Sequence, residues 1–323
     1  MAASVNLANK TFVITGGNSG IGLETARALL SKNAHVIVAS RSRERGNAAV
    51  QELKQAASSE AKVECMQVDL ASFSSIRQFA EDFEKRGLPL HVLVNNAGVF
   101  IPPTDRTEED FEVTLGINHF GPFYLTHLLL QNLEQNAPAR IVNLGSVLEI
   151  TGRSDWKDVL QGKHGKDDRS GLGIYGTTKL FNIMLAKEYS RRLQGKGIDC
   201  LATHPGLAAT PLYPKLDKSK PEAVAVNLFE KMFHQSSEDG AISTLRASTD
   251  PSLTGQGFKY FGPWYKGPLQ MHVGNEKERT PSNAIADDMQ ACKDLYDMTL
   301  EIVAQKAPDI KKLAMPEPTS SPS

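Results

Sequence analysis

The stretch "TFVITGGNSGIGLETARALL", Thr11 to Leu30, decides the fold. An apolar, β-branched burst comes first, then a bend carrying Gly16, Gly20 and Gly22, then apolar residues at helical spacing. A strand that runs straight into a helix start places free N–H groups and the positive end of the helix dipole at the bend, which suits a phosphate. Gly16 permits the sharp turn, and Gly20 and Gly22 let backbone, ligand and helix approach closely. Asn18, Ser19 and Ile21 fill the remaining places of the bend and are read with it as ligand contacts. The spacing departs from G-x-G-x-x-G, because three residues separate the first two key glycines. A ligand-free glycine-rich loop would look the same, so the rest of the chain must decide.

Outward from this stretch, strand-like runs alternate with helical patterns. The runs are Thr11 to Thr15, His35 to Ser40, Lys62 to Val68, His91 to Asn96, Arg140 to Gly145 and Ile198 to His204. Several are apolar throughout rather than alternating, as expected when helices cover both faces of a sheet. Amphipathic stretches such as Ile21 to Ser31 and Ser74 to Lys85 separate them. The pattern predicts an α/β fold with a single doubly wound parallel sheet and right-handed crossovers. With no repeat or composition break, residues 1–315 read as one domain. After Gly255 the pattern loosens into "GFKYFGPWYKGP", a last helix follows near Met289 to Ala304, and the Pro/Ser-rich residues 316–323 read as a disordered tail.

Composition excludes several function classes. Hydrophobic residues at 40% and charged residues at 23% are ordinary for a soluble globular protein, and a net charge of −1 offers no field for nucleic acid or anionic lipid. The three cysteines, Cys65, Cys200 and Cys292, form no C-x-x-C, so neither a disulfide framework nor a metal site is indicated, and a reducing compartment, the cytoplasm, is expected. The N-terminal "MAASVNLANK" lacks an apolar signal core, and "FYLTHLLLQNL" is too short and polar to span a bilayer.

The end of the second strand-like run sharpens the reading of the bend. Sites selective for NAD carry an acid about 20 residues on that bonds the ribose 2′-hydroxyl, whereas an arginine there suits a 2′-phosphate. This chain has "VASRSRERG", with Ser40-Arg41 at that point and no acid. A guanidinium grips a phosphate with two parallel bonds, so NADP(H) is the expected cofactor.

Five motifs in order carry a resemblance: "TGGNSGIG" (Thr15 to Gly22), "NNAG" (Asn95 to Gly98), "GSV" (Gly145 to Val147), "YGTTK" (Tyr175 to Lys179) and "HPG" (His204 to Gly206). The chain resembles the short-chain dehydrogenase/reductase family over roughly Lys10 to Phe261, which implies a Rossmann fold. "SRSRERG", "INHFGPFYLT" and a long insert before Tyr175 make it most similar to the retinol-dehydrogenase-like and protochlorophyllide-reductase-like group. The resemblance implies a catalytic tetrad of Asn118, Ser146, Tyr175 and Lys179. It implies that Asp69 and Leu70 lie near the adenine and that Asn95, Ala97 and Gly98 line the cofactor floor. Pro205, Gly206 and Thr210 would shape the nicotinamide site. Two departures are visible, Gly145 where the group often has Ser and Pro122 where it often has His.

Tyr175 and Lys179, four apart, share a face if helical. A free phenol has a pKa of about 10, and a neighbouring ammonium favours the phenolate, which makes Tyr175 a usable acid or base. The resemblance adds Ser146 as holder of the substrate oxygen, Asn118 as anchor of a relay water and Lys179 as holder of the nicotinamide ribose. His119 and His164 lack ligand spacing and read as structural or exposed.

Two segments bear on the substrate. The insert Val147 to Ile174 is polar, with Trp156 as its one large anchor. The segment Leu207 to Phe233 offers Leu212, Tyr213, Leu228, Phe229 and Met232 as an apolar wall, with Lys215, Lys218 and Lys220 toward a loop. The leading expectation is an NADP-dependent oxidoreductase interconverting a carbonyl and an alcohol on a lipophilic small molecule, with a homodimer as its candidate assembly. The alternatives are a non-catalytic NADP(H)-sensing scaffold, which would not need Tyr175 and Lys179, and an epimerase or dehydratase, for which no sugar-nucleotide feature is present.

Overall fold

Thr11–Thr15 forms β1, buried along its whole length, with Phe12 and Ile14 in one core cluster and Val13 in the other. That split across a pleated strand means both faces of the sheet are covered. The computed structural model describes residues 5–100, 105–163, 171–206, 236–265 and 271–318. β2 (His35–Ser40) pairs parallel with β1 on one side, and β3 (Lys62–Gln67) pairs parallel with β2. On the other side of β1 lie β4 (Val92–Asn95), β5 (Ala139–Leu144) and β6 (Ile198–Thr203), all parallel and all buried. β7 (Lys259–Tyr265) and β8 (Met271–Glu278) complete an eight-stranded sheet of order β3-β2-β1-β4-β5-β6-β7-β8.

This is the expected Rossmann architecture, with one correction: β8 runs antiparallel to β7. Residues Lys259 to Tyr265, read from sequence as the point where the pattern loosens, are a parallel neighbour of β6. The chain leaves β1 toward β3, then returns to place β4 on β1's other side. That reversal opens a crevice at the carboxyl ends of β1 and β4.

One face carries α1 (Gly20–Leu30), α2 (Arg43–Ala56) and α8 (Ser237–Thr249), which contribute Leu29, Leu53 and Ala247 to the core with Phe12 and Ile14. The other carries α3 (Phe73–Lys85), α5 (Gly121–Gln135), α7 (Leu172–Arg192) and α9 (Met289–Ala304), whose Phe79, Phe123, Phe181 and Tyr296 join Val13. A three-residue α4 (Val113–Leu115) leads through a π-helical segment, Gly116–Phe120, into α5, and the short α6 (Trp156–Leu160) precedes α7. Trp156 is buried and meets Phe181 edge-on at 5.9 Å. Pro122 stands directly after the π-helical segment, at the second residue of α5. No helix among the described residues is long and apolar enough to cross a membrane.

The C-terminal residues need a second correction. Glu317, placed by sequence in a disordered tail, pairs with Arg191 (2.8 Å), Arg192 (2.8 Å) and Lys293 (2.7 Å). Met315 beside it is buried, and its N–H donates to the Tyr296 hydroxyl at 2.8 Å. Residues 319–323 lie outside the described residues.

Candidate active site

The crevice is lined by the segments that leave the carboxyl ends of the strands. After β1, Gly16 (φ +66°) and Gly20 (φ +54°) take left-handed backbone that residues with a Cβ adopt at a cost. A Cβ on Gly22 would stand 2.6 Å from both Asn96 Nδ2 and Gly16 O, so no side chain fits there. Ser19, exposed, is the N-cap of α1 but makes no side-chain cap bond, and no acid stands in the first turn. The helix start therefore keeps N–H donors for a phosphate, and the bend fits a dinucleotide. Asn18 is half-buried beside it, and Ile21 packs against Leu144 and Ala241.

At the far end of the crevice, Arg41 follows β2 with its side chain exposed, and its carbonyl accepts from Gln67 Nε2 at 3.1 Å. Among the described residues Arg41, Arg43 and Arg45 form no ion pair, so all three cations are available to an anion. Ser40 is buried, and its hydroxyl donates to Ser42 O at 3.1 Å, which shapes the loop that carries Arg41. Half-buried Asp69 accepts from Ala71 N at 3.0 Å, and Leu70 is buried with its carbonyl against Gly121.

After β4, Thr15 Oγ1 accepts from the N–H groups of Asn96 (3.0 Å) and Ala97 (3.0 Å), stitching the ends of β1 and β4 together. Asn95 ends β4. Its side chain is 4% exposed and donates to Thr126 Oγ1 (3.1 Å) and Asn143 Oδ1 (3.0 Å), which braces the sheet, while Oδ1 is buried without a partner among the described residues. The neighbouring Asn96, which sequence reasoning passed over, meets the glycine bend and donates to Thr15 O at 2.7 Å.

Gly98 stands between two of the expected site residues. A Cβ on it would lie 3.2 Å from Lys179 Nζ and 3.4 Å from Asn118 Oδ1. Asn118 lies in the π-helical segment, a departure from α geometry that is frequent at functional sites. Both its amide hydrogens are used: Oδ1 accepts from Val99 N (2.8 Å), while Nδ2 donates to Val99 O (2.9 Å) and Thr178 Oγ1 (3.1 Å). These bonds tie the Asn118 side chain to α7 and to the strand end, and Oδ1 keeps a second acceptor position.

Tyr175 and Lys179 lie on one face of α7 as their spacing predicts, with Nζ 5.6 Å from the centre of the phenol ring. Lys179 is buried, donates to Leu144 O at 3.1 Å, and burial lowers its ammonium from 10.5 to about 8. Phe100, unflagged by the sequence, meets the Tyr175 ring edge-on at 5.0 Å. Ser146 follows β5 and caps the 3-10 turn Val147–Thr151, its Oγ accepting from Leu148 N at 3.2 Å. Glycine at 145 has a local reason, because its Cβ position is only 3.2 Å from Thr203 O.

After β6, Gly206 (φ +76°) donates its N–H to His204 Nδ1 at 3.2 Å. His204 is buried against Gly262, where no Cβ would fit, and burial first, then Arg279, lowers its pKa to about 3. The neutral ring thus holds Pro205-Gly206 in place. His119 is structural, as read from sequence: fully buried, it meets Thr299 Oγ1 at 2.8 Å. Thr210, His164, the wall residues Leu212, Tyr213, Leu228, Phe229 and Met232, and Lys215, Lys218 and Lys220 lie outside the described residues.

Known proteins resemble this chain over most of its length. The short chain dehydrogenase family model matches residues 10–157. Mouse (Mus musculus) retinol dehydrogenase 12 is 36% identical over 274 residues, covering 85% of this chain and 84% of that protein. The polyprenol dehydrogenase of Danio rerio is 34% identical over 303 residues, covering 92% and 87%. Among solved structures, an uncharacterized protein from Mycobacterium paratuberculosis superposes with a TM-score of 0.70 at 29% identity, covering 94% of this chain and 97% of that one.

Proposed function

The chain belongs to the short-chain dehydrogenase/reductase family, in its retinol-dehydrogenase-like group, and from that premise we propose an NADP(H)-dependent enzyme that interconverts a carbonyl and an alcohol on a lipophilic substrate. The observation that carries the chemistry is the buried Lys179 ammonium beside the Tyr175 ring, with Gly98 leaving the space next to both Lys179 and Asn118 open. In the direction of reduction, Tyr175 gives its hydroxyl proton to the carbonyl oxygen. Lys179 stabilises the phenolate left behind, because a nearby positive charge favours the charged form of a phenol. Ser146 donates a hydrogen bond to the same oxygen and orients it, while Asn118 and Gly98 keep Lys179 in register. When bound, the nicotinamide supplies or accepts the hydride at the carbonyl carbon.

The residues that would hold the cofactor are the N–H groups of the Gly16–Gly22 bend for the pyrophosphate, Arg41 for a 2′-phosphate, Asp69 and Leu70 near the adenine, and Lys179 for the ribose. Arg41→Ala removes a charge-assisted bond whose loss costs roughly 1.5–3 kcal/mol. Fluorescence titration should show the NADPH dissociation constant rising by about tenfold or more while that for NADH stays put. Equal affinity of the unaltered protein for the two cofactors would instead assign Arg41 to the solvated surface.

A lipophilic substrate is supported by the names of two relatives, which refer to retinol and polyprenol. Phe100 against Tyr175 and Ile150, 61% exposed within the turn that Ser146 caps, supply apolar surface. Apolar burial gains about 25 cal/mol per Å², so kcat/KM should rise from short aldehydes to medium-chain, aromatic and isoprenoid carbonyls. A panel assayed by NADPH absorbance tests this, and a preference for small polar or anionic carbonyls would refute it. Free thiols at Cys65, Cys200 and Cys292 support placement in a reducing compartment, the cytoplasm.

A further inference from the structure

Glu149 is a buried acid that the chemistry above leaves unused. It lies in the 3-10 turn that begins directly after Ser146 and is 1% exposed. Its carboxylate accepts from the main-chain N–H groups of Ser282 (2.6 Å) and Asn283 (3.0 Å), 133 and 134 residues away in sequence. The Asn283 side chain returns the contact, donating to the carbonyl oxygens of Glu149 (3.3 Å) and Gly152 (3.0 Å). Lys187 of α7 then fixes the downstream segment by donating to Ala286 O (2.7 Å) and Asp287 Oδ1 (2.6 Å).

The other side of the turn rests on α7. Gly176 comes so close to Thr151 Oγ1 and Leu148 O that no Cβ would fit, and Arg153 N donates to Thr177 Oγ1 at 3.0 Å. Within the turn, Ser146 Oγ accepts from Leu148 N (3.2 Å) and Ser146 O accepts from Glu149 N (3.1 Å). Glu149 therefore sits where the turn carrying Ser146 is joined to a segment that α7 also grips. Burial pushes its carboxyl up, and the two N–H bonds pull it back. An apolar replacement would leave the Ser282 and Asn283 N–H groups without their acceptor, so the carboxylate is what holds these two segments together.

We infer that Glu149 is a positioning residue: it bolts the turn after β5 to residues 282–283 and thereby fixes where the Ser146 hydroxyl points. The inference rests on Ser146 acting in the carbonyl–alcohol chemistry proposed above.

A double-mutant cycle on the NADPH-loaded enzyme tests it, with kcat read on a carbonyl that the wild-type protein turns over. Glu149→Gln swaps one carboxylate oxygen for an NH₂ that cannot accept, which loosens the turn. It should lower kcat by about ten- to a hundredfold, as sub-ångström misplacement of a reacting group does, while leaving NADPH affinity unchanged. In a Ser146→Ala background the same substitution should have little further effect, because the group it positions is gone. An equal fold-loss in both backgrounds, or an unchanged kcat, overturns the inference. If Glu149→Gln does not fold, Asn283→Ala cuts the bolt from its other side, and the same non-additivity with Ser146→Ala is required. A wild-type protein with no NADPH-dependent carbonyl turnover overturns the functional reading and this inference with it. Intact turnover with additive losses overturns the inference alone.

Discussion

Tyr175→Phe is expected to bind NADPH like the unaltered protein and to lose about two to four orders of magnitude in turnover, the usual worth of a positioned general acid. The ring remains, and with it the 5.0 Å edge contact to Phe100 and the 5.6 Å approach of Lys179 Nζ. The site is 4% exposed, and the replacement keeps its volume apart from one oxygen, so packing is preserved. What disappears is the transferable proton. Lys179 cannot substitute for it: the ammonium is turned to Leu144 O at 3.1 Å and is held by burial in the α7–β5 angle. At about 8 its pKa keeps it mostly charged near neutral pH, which is the state that stabilises a phenolate. Single-turnover oxidation of NADPH separates this loss from binding, which fluorescence titration reads independently. Turnover within tenfold of the unaltered protein would move the proton to another donor, with Ser146 the first to test.

The parallel sheet was legible because its strands are buried on both faces and so read as unbroken apolar runs. β1 and β2 lie where Thr11 to Thr15 and His35 to Ser40 predict them. β7 was missed because Gly262 and Pro263 are loop residues by composition. Here they sit at a register shift between β7 and β8, which is where a strand tolerates proline. The glycine at 262 is demanded by His204 from a different strand end, a contact that local pattern does not carry.

The candidate site shows the same division. The four-residue spacing of Tyr175 and Lys179 translated directly into a shared helix face. Which of Asn95 and Asn96 faces the crevice was not legible, since adjacent strand-end residues point opposite ways and both are polar. The structure buries Asn95 between Thr126 and Asn143, and leaves Asn96 at the glycine bend. Glu149 was invisible for another reason: its partners are Ser282 and Asn283, and nothing short-range marks a contact across 133 residues.

The largest effect on stability is expected from Arg192→Ala. Arg192 is 6% exposed at the end of α7 and joins three carboxylates, Glu188 (2.6 Å), Asp297 (2.7 Å) and Glu317 (2.8 Å). It also donates to Met315 O at 3.1 Å and lies 3.8 Å over the Tyr296 ring. Truncation would strand the fully buried Glu188 carboxylate with Arg191 alone, and would remove the bonds from α7 to Asp297 of α9 and to Met315 O, leaving Arg191 as the α7 partner of Glu317. Removing one partner of a buried ion pair costs about 3–5 kcal/mol, because the charge left behind is uncompensated. For a protein of this size that corresponds to a fall in Tm on the order of 10 °C. The glycine bend and the Tyr175–Lys179 pair lie away from this network, so NADPH affinity measured below the transition should not change. Arg192→Lys keeps a charge but reaches fewer of these acceptors, since an ammonium lacks the planar fork, and should recover only part of the loss. A thermal midpoint within about 2 °C of the unaltered protein for Arg192→Ala would mean, on this size scaling, that the network contributes under about 1 kcal/mol and that the apolar seat of Met315 and Tyr296 holds the C-terminal segment by itself.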